Sequence, residues 1–416
     1  MNKLLVLGGA NMHCKIVDAA KALHVFTGVT DYWVDSPAKK LADASYMLSI
    51  NDVDNIVRLC KEESYNAVLS THLDPGQRPY QRICEELGLP CFCTSEQVHL
   101  FTDKKAFKQL CVKNNVSVID DYSPQDVVSG SAEYPVFIKP VDSRGSRAQT
   151  ICYNKEDALK AVEIARNESS NGEVIIERYI SDAQEVQVTY FVINGHPILI
   201  RTADSYCGRA EEGLQKVVAC SVSPSRFTDT YLETAHPHVC NMIRNAGIQN
   251  GPVFMQGFYD NGVFRFFDPG IRFPGVEFEK VYTHEFNLDL MKMMVEFAIN
   301  GDFSEQHLPD DIVQLNGKLA AILFPTVSSG VIGKIAGAKK ILKMPEVISY
   351  TERHSIGEKV QWTFNVNQRM AEIVLLCDNL EHLKNTIDEI QRDYMVFDTT
   401  GALMSYGFFD PNRIER

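Results

Sequence analysis

The alternation of short apolar runs with helical stretches over the first hundred or so residues restricts the fold of this 416-residue chain more than any other feature. "KLLVL" (3–7) is apolar after its first residue, which suits a strand buried on both faces of a parallel sheet. Gly8-Gly9 follows, then the helical pattern "HCKIVDAAKAL". "HVFTGVTD" reads as a second strand ending in Asp31, "YNAVLST" (65–71) as a third, "QRPYQRICEELG" (77–88) as a helix, and "LPCFCT" as one more strand. Strands in alternation with helices predict a doubly wound α/β sheet.

From about residue 103 the texture changes. "TDKKAFKQLCVKNN" is a helix capped by Thr102 or Asp103, "YPVFIKP" (134–140) a strand, "NKEDALKAVEIARNE" (154–168) a helix capped by Asn154, and "GEVIIERYI" (172–180) a strand. "QEVQVTYFVI", "HPILIRTAD" and "LQKVVACSVS" then read as antiparallel strands, with a turn at Asn194-Gly195. A helix near 229–246 precedes "GPVFMQGFYDNGVFRFFDPG", two strands joined at Asn261-Gly262. After the helix "NLDLMKMMVEFAIN", the remainder carries strand-like pieces ("LAAILFP", "EKVQWTFNV", "MAEIVLLCD") and the amphipathic helix "NLEHLKNTIDEIQR".

A formal charge of -13 argues against non-specific nucleic-acid binding and against a polybasic membrane contact. The 11 cysteines are scattered, and Cys91-Phe92-Cys93 lacks zinc-ligand spacing, so reduced thiols in the cytoplasm are expected. "MNKLLVLGGANMH" has too short an apolar run for a signal peptide and ends in Gly-Gly. No run is long enough to span a membrane.

Several residues point to chemistry. Lys139 ends the otherwise apolar strand Val136-Phe137-Ile138, and a buried ammonium needs a partner. The loop behind it, "VDSRGSRAQ", offers Ser143, Gly145 and Ser146, small residues whose backbone N–H groups suit phosphate oxygens. Glu177 ends one apolar strand and Glu185 begins the next. A tight turn at Asn261-Gly262 sets Gln256 across from Asp268, an oxygen pair suited to Mg²⁺, and Arg272 follows with a fork suited to phosphate or carboxylate. Asp74 and Arg78, in "THLDPGQRPYQ", follow a strand end, where open α/β sheets hold ligands; the plainer reading is an Asp-Pro-Gly turn beside a surface arginine. "GGANMH" with Asp31 is an incomplete dinucleotide fingerprint. His236 and His238 lie in a helical stretch without further ligands and read as structural.

Taken in order, these pieces resemble the ATP-grasp superfamily over about residues 1–300. The resemblance assigns phosphate-binding lysines to Lys104 ("TDKKAF") and Lys139, and a nucleotide hinge with its glutamates to "ERYISDAQE" (Glu177, Tyr179, Ile180, Glu185). The family's metal strand ends in E-x-N-x-R; here "DPGIR" has Asp268 for the glutamate and Gly270 for the asparagine, and keeps Arg272. Gln256 matches the upstream metal ligand, which is glutamine in carbamoyl phosphate synthetases. With Gly270 one ligand is missing, and Glu277 or Glu279 is the nearest replacement. The last region resembles, more loosely, the C-terminal domain of carboxylate–amine ligases, including the L-amino acid ligases.

The resemblance implies a Rossmann-like domain (1–102), a nucleotide-binding domain (103–301, with a lid lobe at about 115–180) and a small C-terminal α+β domain (302–416). It implies ATP, one or two Mg²⁺ ions, a small-molecule carboxylate and an amine, activation as an acyl phosphate with release of ADP and phosphate, and room for a homodimer. Arg272 would steady the reacting phosphate, and Arg209, in "SYCGRAEEGLQ", would close over it; an exposed loop residue is an equal reading of Arg209. Two alternatives stand beside this one: a nucleotide-binding regulator that has lost catalysis with the ligand at 270, and a nicotinamide oxidoreductase, which leaves Lys139, Glu185 and Asp268 unexplained.

Overall fold

The computed structural model describes residues 1–141, 148–169, 171–181, 183–209, 214, 217–303, 307–362 and 366–416. Strands β1 (Lys3–Leu7), β2 (Phe26–Thr30), β3 (Ala44–Tyr46) and β4 (Ala67–Leu69) form a parallel sheet in the order β3-β2-β1-β4. Leu4 to Leu7 are fully buried, because helices cover both faces of a parallel sheet. Helix α1 (Asn11–Ala22) makes the first crossover. β3, with only three residues, has no apolar run to announce it.

"LPCFCT" is not a strand. Pro90 offers no N–H to a ladder, Phe92 packs on Tyr80 with ring centroids 5.0 Å apart, and Thr94 leaves the segment to cap the next helix, Ser95–Leu100. Helix α2 (Lys104–Lys113) then leads into a second sheet. Its strands, β5 (Asp121–Tyr122), β6 (Val136–Pro140), β7 (Thr150–Cys152) and β8 (Val174–Arg178), run antiparallel in the order β5-β8-β6-β7. With helix α3 (Lys155–Glu168) they enclose a small core of their own around Val136, Ile138 and Ile176.

The third sheet has eight strands. β9 (Gln184–Ile193), β10 (His196–Cys207), β11 (Val218–Ser223), β12 (Gly251–Asp260) and β13 (Val263–Gly270) are joined by β14 (Leu319–Leu323) and by the strands Ala371–Cys377 and Val347–Glu352. β11 pairs directly with β14, so the sheet runs across the boundary expected at 302. The expected helix near 229–246 is two, Thr228–Thr234 and His236–Asn245, because Pro237 cannot donate within a continuing helix. "EKVQWTFNV" yields only the short strand Lys359–Val360 among the described residues.

The β12–β13 turn fixes how its two strands face each other. Asn261 and Gly262 both have positive φ (48° and 85°), the geometry that matches strand twist. A side chain at 262 would meet no atom within 4 Å, so its cost is purely conformational. Gly262→Ala is therefore expected to lower stability by about 1 kcal/mol, read as a reduced denaturant midpoint with unchanged secondary structure.

Candidate active site

Along β6, Val136 and Ile138 point into the small core, which turns Phe137 and Lys139 to the opposite face. There the Lys139 ammonium meets Glu177 Oε2 of β8 at 2.7 Å. A residue that nothing in its local sequence singles out completes the group: Lys108, one turn along α2 from Lys104, donates to Glu177 Oε1 at 2.9 Å, to Ile119 O at 3.1 Å and to Asp121. Burial alone would raise the Glu177 pKa, but the two lysines outweigh it and hold the carboxyl below its usual value. Lys104 and Lys105 occupy the first turn of α2 behind the cap Asp103, whose side chain accepts from Ala106 N at 2.8 Å. Cations at a helix N-terminus oppose its dipole, and an arriving anion resolves the conflict. A cavity of about 150 Å³ is lined by Lys104, Lys105, Lys108, Tyr122, Ile175 and Glu177. Tyr179 and Ile180 continue from β8, the backbone N–H of Tyr179 bonding Pro135 O at 2.9 Å. Ser143, Gly145 and Ser146 lie outside the described residues.

On the large sheet, Gln256 and Asp268 are register partners across β12 and β13, as the turn predicts. Gln256 Nε2 donates to Glu185 Oε1 from the adjacent strand β9, which leaves the amide oxygen of Gln256 free. Asp268 makes no hydrogen bond or ion pair with any described residue. Burial raises its pKa, Lys104, Arg272 and Lys139 oppose the rise, and Asp74 adds to it. Arg272 is itself engaged: its fork binds both oxygens of Asp74, Nη2 to Oδ2 at 2.6 Å, and its Nη1 donates to Phe273 O at 2.9 Å. The glycine at 270 has a physical reason, because a Cβ there would come within 3.0 Å of the Arg272 side chain. Arg78 is exposed on the helix that follows Asp74.

The stretch after β13 is pinned to the first sheet. Phe273 N donates to Thr71 O at 2.9 Å, and at the head of helix α4 (Glu279–Phe286) the Glu279 carboxylate takes His72 Nε2 at 2.6 Å and Lys15 Nζ at 2.8 Å. Burial would raise the Glu279 pKa, but Lys15 and His72 hold it at about 2. Fully committed and 3% exposed, Glu279 is not a replacement metal ligand. Glu277 accepts instead from the hydroxyls of Ser349 and Thr351, each at 3.0 Å. It borders a second cavity, about 200 Å³, shared with Asn11, Met12, Arg353, Arg369 and Glu372. Arg353 and Glu372 neutralise each other at 2.6 Å. Arg369 does not have such a partner among the described residues: it lies on the Phe324 ring at 3.9 Å, gives Nη2 to Val218 O at 2.9 Å, and leaves Nε unbonded although 7% exposed. Burial, and then Arg353, push its pKa down to about 10, while Glu372 and Glu185 act against them. Arg353 and Arg369 sit in aperiodic polar segments, so only the folded chain reveals their meeting.

Three further expectations are settled by position. Arg209 is exposed in an open groove with Asp388 and Arg392, without a direct bond to Gln256 or Asp268. The Gly8-Gly9 turn is filled by the protein itself: Asp31 Oδ2 accepts from Gly9 N at 2.7 Å, and Cβ atoms at 8 and 9 would fall 2.6 Å from the His13 ring and 2.5 Å from Ser36. Both glycines are thus explained by packing within the turn itself. His236 stacks on Tyr190 and shares a 2.8 Å hydrogen bond with its hydroxyl, a structural role.

Residues 102–261 match the family model of the carbamoyl-phosphate synthase L chain ATP-binding domain. This stretch is an ATP-binding domain of the ATP-grasp kind. It is 26% identical over 211 residues to the 2-oxoglutarate carboxylase small subunit of Hydrogenobacter thermophilus, covering 44% of each chain. It is 22% identical over 268 residues to a formate-dependent phosphoribosylglycinamide formyltransferase of Prochlorococcus marinus, covering 61% of this chain and 67% of that one. The chain thus spans under half of the first of these relatives and about two thirds of the second. Phosphoribosylglycinamide synthetase from Anaerococcus prevotii shares its fold at a TM-score of 0.78 and 18% identity, over 95% of this chain and 99% of the other. L-amino acid ligase from Bacillus licheniformis does so at 0.73 and 15%, over 96% and 99%. The biotin carboxylase domain dimer of the H. thermophilus enzyme, solved with MgADP, ADP and bicarbonate, does so at 0.77 and 17%, over 95% and 90%. Among the described residues no helix is long and apolar enough to cross a membrane.

The buried histidines give the protein an acid sensitivity. Burial lowers His72 to about 3 and His13 to about 4. Both depressed bases stay neutral in the fold while the unfolded chain takes up protons below about pH 6.5. Stability is therefore expected to fall from pH 7 to pH 5 by about 2 kcal/mol for each histidine, measured as the loss in urea midpoint. His13→Phe should remove about half of that pH dependence.

Proposed function

We propose that this ATP-grasp protein is an ADP-forming ligase that activates a carboxylate as an acyl phosphate and joins it to an amine. The observation that carries the reading is Asp268: a largely buried carboxylate without a direct partner among the described residues, within electrostatic reach of Lys104, Lys139 and Arg272. A lone acid among three cations suits a magnesium polyphosphate better than it suits an empty cleft. The oxygens fit Mg²⁺: Asp268 supplies a carboxylate, and Gln256, its amide nitrogen held by Glu185, turns an oxygen toward the same side. Bound there, Mg-ATP would supply the phosphoryl group and much of the charge neutralisation. Lys139 and Lys104 would receive the phosphates, Tyr179 and Ile180 would line the nucleotide edge, and Glu185 would orient Gln256. The 142–147 loop, with Ser143, Gly145 and Ser146, would cover the phosphates. Arg272, tied to Asp74, would act as a fixed charge beside the reacting group rather than a mobile one.

The second cavity would take the acid. Among the described residues, Arg369 and Glu277 are the two charges there without a direct opposite partner, whereas Arg353 and Glu372 cancel. Arg369 lies within electrostatic reach of Glu185, which holds Gln256. It would hold the carboxylate next to the phosphates, with Glu277 accepting an ammonium or other donor from the rest of a small amphoteric acid. The second reading, a nucleotide-binding regulator, draws on Gly270, which leaves Asp268 without the usual neighbouring ligand.

One assay separates the two: phosphate release from Mg-ATP with panels of carboxylic acids and amines. The ligase requires both partners for release and forms ADP; an AMP product overturns the mechanism, and binding without turnover establishes the regulator. Asp268→Asn should abolish release with an unchanged circular dichroism spectrum. Arg369→Met should raise KM for the acid by about 10–100-fold, the loss of one charged hydrogen bond, with KM for ATP little changed.

A further inference from the structure

Lys108 lines the same cavity as Lys104, but its donors are already taken. An ammonium has three donors, and its acceptors Ile119 O, Asp121 and Glu177 Oε1 take all three. The side chain is 11% exposed. Lys139, by contrast, has one carboxylate oxygen, Glu177 Oε2 at 2.7 Å, and lies over the Phe137 ring at 5.3 Å, so among the described residues two of its donors remain for the cleft.

Glu177 stands between the two lysines with one oxygen on each. Without Lys108 it would form a closed, neutral pair with Lys139, and its charge would repel an arriving polyphosphate. With Lys108 behind it, the buried set of two ammonium groups and one carboxylate carries a net positive charge, and that charge lies at Lys139. Asp121 alters this little, because its carboxylate is 52% exposed and screened by solvent.

We propose that Lys108 is a positioning residue for the nucleotide: it countercharges Glu177 from the far side, so that Lys139 keeps its ammonium for the polyphosphate. This rests on the ATP-grasp nucleotide site of the proposed function, yet it needs neither the acid nor the amine to be known. Its test is a double-mutant cycle on Mg-ATP affinity, measured by calorimetry on the full chain as wild type, Lys108→Met, Glu177→Gln and the double variant.

Lys108→Met is expected to weaken Mg-ATP binding 10–100-fold while Glu177 is present, and less than threefold once Glu177 is glutamine. Lys108→Arg, which keeps the charge, should bind within about fivefold of wild type. A merely structural lysine gives no such dependence on Glu177. The comparison in the glutamine background leaves no unpaired buried carboxylate, so it stands even where the single Lys108→Met variant fails to fold. Wild-type affinity in Lys108→Met overturns the assignment, as does a tenfold or greater loss on adding Lys108→Met to Glu177→Gln. Wild-type protein that binds no nucleotide overturns the proposed function and this assignment together; nucleotide binding with either of the other outcomes overturns this assignment alone.

Discussion

The Glu279 carboxylate is the point on which the rest of the arrangement depends. It comes from the chain just past β13, and it is held by Lys15 of α1 and by His72 beyond β4. Three segments far apart in sequence therefore meet at one buried charge. Such a cluster is costly to assemble and costly to break, since removing one member leaves another charged and unpaired. The adjoining bonds, Phe273 to Thr71 and Arg272 to Asp74, extend the same seam toward the cleft. The position of Arg272 relative to Asp268 is thus fixed by the first sheet as much as by the strand that carries it.

The two cavities differ in how their charges are settled. Around the lysines of α2 and β6, carboxylates are shared and positive charge is left over. In the cavity bounded by Arg353 and Arg369, one ion pair closes on itself and two charges of opposite sign stay open. Glu185 and Gln256 are bonded to each other on neighbouring strands, with Glu185 within electrostatic reach of Arg369. Under the proposed function this division would let one end take a phosphate and the other a small polar acid, where a uniformly positive cleft would orient neither.

What the sequence discloses is what local chemistry determines. Asn261-Gly262 fixes a turn, the turn fixes a register, and the register sets Gln256 against Asp268. Lys139 stands out because its strand is otherwise apolar. Lys108, Arg353 and Arg369 do not stand out, since each lies among polar residues and finds its partners through the tertiary fold; Arg369 meets Val218 across 151 positions. Glu279 looks available in the sequence because its own neighbourhood is unremarkable, and its two partners lie 207 and 264 positions away. "LPCFCT" has a strand's composition, but a proline and a helix cap redirect it. Gly270 reads as a loss, and only the packed Arg272 side chain shows what the missing Cβ makes room for.

The small sheet enters and leaves the molecule at one place. Its incoming chain is stitched to β13 by Phe266 N to Ser117 O, and its outgoing chain to the end of β12 by Arg178 to Asp260, while Arg178 N bonds Asp120 O across the two. Two straps fastened side by side on one edge leave rotation about that edge as the least resisted movement. A turn of the small sheet would then carry Lys139 along an arc relative to Asp268, with the attachment edge as its axis.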